Sequence, residues 1–346
     1  MLENFDEICK IVMTQLRVKN QPFVNQVLLK SMPRLAALNP EKYINSYLDD
    51  SINYLLNNPQ AKPFSYISIG LLALAVKDVK NDVFKKHLPQ IINSISAPLK
   101  LREQQTRRTR GAIPSPITDP SLFTCVALLA QAFGPEIIDQ IKQLIEPMIS
   151  TGLSQALADS LQQIQNSIPQ LKKDIQEGLL RMLSHVLKIP VILPLTRQLT
   201  QGNSAQQQIN QQIDISLSDF GKTILALKVL GQFDFQIKSL IQFVKHCADN
   251  YLSHDKKEVR LEAVKTCCQS LTPVLSKYEL KNSFSLLEVI QNVLSKLLIV
   301  GVTDTDFCVR YTVLSLLDDK FDQHLAQAEH LNSLLSLLYK SLFLNI

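Results

Sequence analysis

Apolar residues recur at steps of three and four along most of this chain, and that spacing constrains its fold more than any other feature. Between residues 168 and 187, Ile168, Leu171, Ile175, Leu179, Met182 and Val186 form one face, while Lys172, Lys173, Gln176, Glu177 and Arg181 occupy the other. A stripe of that period is the buried face of an amphipathic helix. Ser167, Pro169 and Gln170 read as an N-cap, a first-turn proline and the closing member of a capping box. From 284 to 300 the stripe is Leu286, Ile290, Val293, Leu294 and Leu297, with Gly301 placed as a C-terminal cap. The same spacing predicts helices at about 3–18, 22–38, 41–57, 62–78, 81–97, 120–134, 136–150, 218–230, 236–252, 256–270 and 308–317. No segment alternates convincingly with the period of two that a half-buried strand needs, so the expected class is all-α.

Composition agrees. The 346 residues hold 9 Gly, 16 Pro and no Trp, with 46% hydrophobic and 19% charged residues. That is enough apolar material to fold, and too little glycine and aromatic content for a nucleotide-binding α/β sheet or an all-β sandwich. A chain this long exceeds one typical core, so several domains or an extended array are expected.

Many helices of similar length joined by short turns call for a search for repeats. The segment from His254 through Asp255, Val259 and Arg260 aligns with that from Asp304 through Asp306, Val309 and Arg310 at an offset of 50 residues. An acidic loop, a Val-Arg pair and an apolar helix form the opening of a HEAT-type helical repeat. The loop carboxylate caps the new helix, and the arginine one turn in can pair with an acidic loop. Asp255, Val259, Arg260, Asp304, Asp306, Val309 and Arg310 are therefore assigned as structural repeat-opening residues. Two stretches break the rhythm, a basic one with Pro and Gly at 100–119 and a Gln-rich one at 195–217. They divide the chain into helical repeats at 1–99, 120–194 and 218–346, an α-solenoid of antiparallel helix pairs with exposed loops between.

Net charge is +5, too weak to indicate a nucleic-acid binder. In the basic stretch Arg102, Arg107, Arg108 and Arg110 have no interleaved aromatics for base stacking, and suit a solvated loop or an acidic or regulatory partner. The six cysteines form no C-x-x-C pair, which points to a reducing compartment. The first ten residues carry Glu3, Asp6 and Glu7 where a signal peptide needs positive charge, and no apolar run approaches the length of a membrane span.

Several segments carry a family resemblance. Leu29-Lys30-Ser31-Met32-Pro33-Arg34-Leu35, Leu122-Phe123-Thr124-Cys125 with Phe133-Gly134-Pro135, and the run from Ile168 to Leu180 resemble the N-terminal HEAT region of the target of rapamycin (TOR) serine/threonine kinases, which are phosphatidylinositol-kinase-related kinases. Gln242 to Asp249 and Val293 to Leu331 are more similar still. The resemblance runs from about residue 22 to 338 and weakens in the two loops and in the last residues. It implies a scaffold segment without cofactor that assembles with a Raptor-type regulatory subunit and other TOR complex subunits. It also implies a cytoplasmic location, peripheral at endomembrane or lysosomal surfaces within a larger complex. A stand-alone transport or adaptor protein is the alternative. The apolar end, Leu334 to Tyr339 and Leu342 to Ile346, leads us to expect a fragment of a longer kinase that self-associates through its last helix.

No kinase motif is present. Asp219-Phe220-Gly221 and Gly221-Lys222-Thr223 spell fragments of a metal-binding triplet and a phosphate loop, but Ser216 stands where the loop needs glycine and none of the six His precedes an Arg. Ser218 or Asp219 is expected as an N-cap instead. His246, Cys247 and His254 lie close in sequence without a fourth ligand at zinc spacing, and Ser184-His185 diverge on a helix. Neither catalytic nor metal residues are assigned.

Overall fold

The computed structural model describes residues 4–18, 22–58, 64–79, 81–108, 119–189, 217–235, 237–275 and 284–321, with residues 325, 332, 335, 336 and 339. It is all-α. Among the described residues there is no strand. The chain divides into two compact units, Met1–Leu180 and Arg181–Ile346.

The first unit opens with α1 (Phe5–Arg17), α2 (Pro22–Leu38), α3 (Pro40–Ser46), α4 (Leu48–Asn57), α5 (Phe64–Val76), α6 (Asn81–Lys85) and α7 (Leu88–Arg108). It continues with α8 (Pro120–Phe133), α9 (Ile138–Ser150), α10 (Gln155–Ser167) and the start of α11 (Lys172–Val186). α5 packs between α2 and α8, and α8 in turn against α10, so α2, α5, α8 and α10 form a row. That is why α5, Phe-Ser-Tyr-Ile-Ser-Ile-Gly-Leu-Leu-Ala-Leu-Ala-Val, is apolar on nearly every side: a helix flanked on two sides has no face left for charge. Its small residues permit close approach. A Cβ on Gly70 would lie 2.7 Å from Cδ1 of Leu128 on α8.

In the second unit α12 (Leu217–Gln232), α14 (Lys257–Leu275) and α16 (Phe307–Leu316) stack in one row, and α13 (Ile237–Asn250) packs on α15 (Phe284–Thr303) in another. Neighbours in sequence that pack side by side across a few loop residues must run antiparallel, so this is a solenoid-type stack of antiparallel helix pairs. Gly231 of α12 also lies close to α14, but less tightly: a Cβ there would meet the mobile Gln269 Oε1 at 2.7 Å and Thr266 Cα at 3.1 Å.

Several boundaries differ from those expected. The helix expected at 41–57 is two, separated at Tyr47, whose ring packs on Phe5 and Tyr43 while its hydroxyl donates to Asp6. That expected at 81–97 restarts at Leu88, where Pro89, lacking an N–H, suits a first turn. α7 then runs through Arg108 where an exposed loop was expected from residue 100, because Lys100-Leu101-Arg102-Glu103-Gln104-Gln105 are strong helix formers. α10 was not expected at all. Its buried stripe of Leu157, Leu161 and Ile164 is narrow and surrounded by glutamines.

Ser167 does not cap α11. It ends α10, its hydroxyl donating back to the Gln163 carbonyl at 2.9 Å, and a 3-10 turn over Pro169–Leu171 precedes α11. Nor does Gly301 cap α15, which continues through Thr303 with Gly301 buried inside it. Ser218 and Asp219 lie in the first turn of α12 rather than before it. Caps that form are Asn39 to the Lys42 N–H, Asp119 to Ser121, Ser154 to Leu157 and Asp306 to Cys308, at 2.9 to 3.2 Å.

Contrary to expectation from sequence, two stretches, Pro120–Ser150 and Leu286–Thr303, are long and apolar enough to cross a membrane by length and composition, with mean hydropathy 1.5 and 1.6. Both carry core residues: Cys125, Val126 and Leu129 in the first and Ile290, Val293 and Leu297 in the second are fully buried. In the first, 56% of the apolar window is buried, as in a core helix; in the second, 33% is.

Five cysteines, Cys9, Cys125, Cys247, Cys267 and Cys268, are buried and only Cys308 is exposed. Burial pushes the thiols of Cys125 and Cys268 up to about 12 and that of Cys9 to about 11. The thiolate is the reactive form, so an aromatic disulfide reagent is expected to modify one thiol per folded chain at neutral pH and all six after denaturation. Rapid modification of two or more in the folded chain contradicts this packing.

Candidate functional site

The residues assigned as repeat-opening converge at the starts of α14 and α16. Val259 and Val309 are buried, and the 50-residue offset extends to individual hydrogen bonds. Arg260 Nη1 donates to the His254 carbonyl at 2.9 Å, and Arg310 Nη1 to the Asp304 carbonyl at 2.7 Å, each six residues back. The Lys256 N–H donates to His254 Nδ1 at 3.1 Å, and the Asp306 N–H to Asp304 Oδ1 at 2.8 Å. Imidazole and carboxylate thus play the same turn-closing part. His254 was not singled out from the sequence for this role, although its alignment with Asp304 was the available signal.

The two openings are joined by one bidentate pair. Arg260 Nε and Nη2 donate to Asp304 Oδ2 and Oδ1 at 2.7 and 2.9 Å, with side-chain exposures of 13% and 4%. The Asp304 carboxylate raises the Arg260 pKa further. Asp255 takes no part through its carboxylate in this pairing; its backbone carbonyl accepts from Arg260 Nη1 at 3.1 Å. Asp306 Oδ2 lies 3.4 Å from Lys257 Nζ. Burial tends to raise the Asp306 carboxyl, yet the Cys308 N–H and the Lys257 ammonium outweigh it and hold the group below its ordinary value. Arg310 has its guanidinium 5.9 Å over the Phe307 ring. Chemically this is a charge-assisted clamp between successive helix pairs.

The remaining candidates are separated. His246 Nε2 lies 3.1 Å from the Leu187 carbonyl, Cys247 is buried, and His254 closes its own turn. Among the described residues no group of three or more His, Cys, Asp or Glu could hold a metal ion. Gly221, Lys222 and Thr223 are interior to α12, so the phosphate-loop spelling is helical. Ser184 donates to the Arg181 carbonyl at 2.7 Å. Arg102, Arg107 and Arg108 fall in the last turns of α7, while their side chains and Arg110 lie outside the described residues, as do the Gln-rich stretch before Leu217 and most of the apolar C-terminal segment.

No family model matches the chain. Among curated proteins it is similar to the serine/threonine-protein kinase mTor of Drosophila melanogaster, 37% identical over 99% of this chain and 13% of that kinase. It is also similar to the serine/threonine-protein kinase tor1 of Schizosaccharomyces pombe, 30% identical over 99% of this chain and 14% of the relative. The target of rapamycin homolog of Caenorhabditis elegans is 30% identical over 89% of this chain and 11% of its own length. The chain thus spans roughly an eighth of the first two relatives. Over nearly its whole length the chain is similar to one segment of target of rapamycin serine/threonine-protein kinases.

Proposed function

We propose that this chain is a non-catalytic HEAT scaffold segment of a target of rapamycin-type kinase, assembling in the cytoplasm with a Raptor-type regulatory subunit and other complex subunits in nutrient and growth signalling. The observation that supports it above others is the extent of the likeness: 99% of the chain is matched while 13% of the Drosophila kinase is covered, on a segment that spells none of the phosphoryl-transfer motifs. A stack of helix pairs offers a long surface on which a partner's helices can lie. In the same proposal Arg260 and Arg310 serve architecture, fixing one helix pair on the next, and take no part in chemistry.

Size-exclusion chromatography with light scattering tests the assembly. The purified chain mixed with the Raptor-type subunit of the same organism is expected to elute as a stoichiometric complex and to transfer no phosphate from ATP. Separate elution at tens of micromolar, the chain itself remaining folded by circular dichroism, overturns it.

A further inference from the structure

The two repeat openings are built alike but closed by different chemistry. At the start of α16 the Asp306 N–H donates to Asp304 Oδ1 at 2.8 Å, and at the start of α14 the Lys256 N–H donates to His254 Nδ1 at 3.1 Å. A carboxyl group offers an oxygen acceptor with or without its proton. An imidazole does not: Nδ1 accepts only in the neutral ring that carries its hydrogen on Nε2, and in the cation both nitrogens are donors. A protonated His254 therefore turns an N–H toward the Lys256 N–H, and the turn that opens α14 loses its closing bond.

The same turn holds the clamp. Arg260 Nη1 donates to the His254 carbonyl at 2.9 Å and to the Asp255 carbonyl at 3.1 Å, while Nε and Nη2 take the Asp304 carboxylate. Opening the turn withdraws both carbonyls from a guanidinium whose remaining donors fix the start of α16.

The charged groups around the imidazole are of both signs. Its own turn and α14 bring Asp255, Lys256, Lys257, Glu258 and Arg260, and the turn before α16 brings Asp304 and Asp306. Arg260 engages Asp304 and Lys257 engages Asp306, which leaves the exposed Asp255 and Glu258 carboxylates against the Lys256 ammonium. That surplus of negative charge offsets the positive N-terminal end of α14, so a proton is opposed by the hydrogen-bond geometry rather than by the field. From the end of α13 comes Tyr251, whose ring stacks on the imidazole with centroids 6.3 Å apart, and behind it His246, 6.0 Å from Tyr251. Burial pushes the Tyr251 phenol up to about 12, so it stays neutral.

We propose that His254 is a proton-operated release of the α14 opening: neutral, it closes the turn and seats Arg260 on Asp304, and protonated, it opens the turn and loosens the clamp between successive helix pairs.

Hydrogen-exchange mass spectrometry of the 346-residue chain tests this, read on peptides covering 252–262 and 302–311. From about pH 7.5 to about pH 5.5, the range in which histidine changes charge, protection factors over both openings are expected to fall about tenfold in the parent. The folded turn excludes the proton that the open turn accepts, so protection is present on the alkaline side and lost as pH falls. His254→Asp copies the opening of α16, and His254→Asn supplies a side-chain carbonyl at the same place. Both variants, with their fold verified by circular dichroism, should lose less than about threefold over that range. A parent that keeps its protection overturns the proposal. So does a tenfold response that survives in either variant, which assigns the titration to another group, or one confined to 252–262, which uncouples the turn from the clamp.

Discussion

Asp304→Ala is expected to destabilise the second unit by about 3–5 kcal/mol. The Arg260 guanidinium stays behind, 13% exposed, without the carboxylate that takes two of its N–H groups, and the Asp306 N–H loses its acceptor as well. Stranding a charge in a site of that depth costs more than the pair itself contributes, because the desolvation of the survivor is no longer offset. Urea denaturation followed by far-UV circular dichroism reads the effect as a lower midpoint or an earlier first transition. The double variant Arg260→Met/Asp304→Leu should recover much of the loss, since it leaves neither charge unpaired. Arg310→Ala should cost only about 1–2 kcal/mol, as Arg310 has one carbonyl bond and a ring contact in place of a buried carboxylate. An Asp304→Ala chain within about 0.5 kcal/mol of the parent would show that the pair does not hold the two helix starts together.

The second large effect belongs to Gly70. A Cβ there would lie 2.7 Å from Cδ1 and 2.8 Å from Cβ of Leu128, and the latter atom cannot swing away with a rotamer change. Gly70→Val must therefore push α5 from α8 and is expected to cost about 3 kcal/mol, near the upper end of core overpacking. Gly231→Ala is the contrasting case. Its nearest atom is the mobile Gln269 Oε1 at 2.7 Å, with Thr266 Cα at 3.1 Å, and alanine gains about 1 kcal/mol of helix propensity. We expect Gly231→Ala to stay within about 1 kcal/mol of the parent, measured by thermal melting of the two variants side by side. Equal losses at both positions would contradict the packing at Gly70.

The clamp shows how far the sequence could be read. The offset between Val259-Arg260 and Val309-Arg310 marked both helix starts, which the structure places at Lys257 and Phe307, again 50 apart. Sequence left Asp255, Asp304 and Asp306 as equal candidates for the arginines. The structure pairs Arg260 with Asp304, gives Asp306 the cap of α16, and leaves the Asp255 carboxylate out of the pairing. Three nearby carboxylates have the same chemistry, and only the position of one helix pair on the next selects among them.

What the sequence determined by itself was local and periodic. α2 lies at 22–38 as the spacing predicts, and the all-α class follows from the three-and-four rhythm with no competing period of two. The tertiary structure decided the breaks at Tyr47 and Leu88, the extra helix at Gln155–Ser167, and the value of Gly70, which by propensity alone is a defect in the middle of a helix. Periodicity is imposed on each helix by its own backbone and can be read from one segment. Breaks, close approaches and the choice of ion-pair partner are imposed by the neighbouring helix, and their energies exist only once two elements that are distant in sequence have packed together.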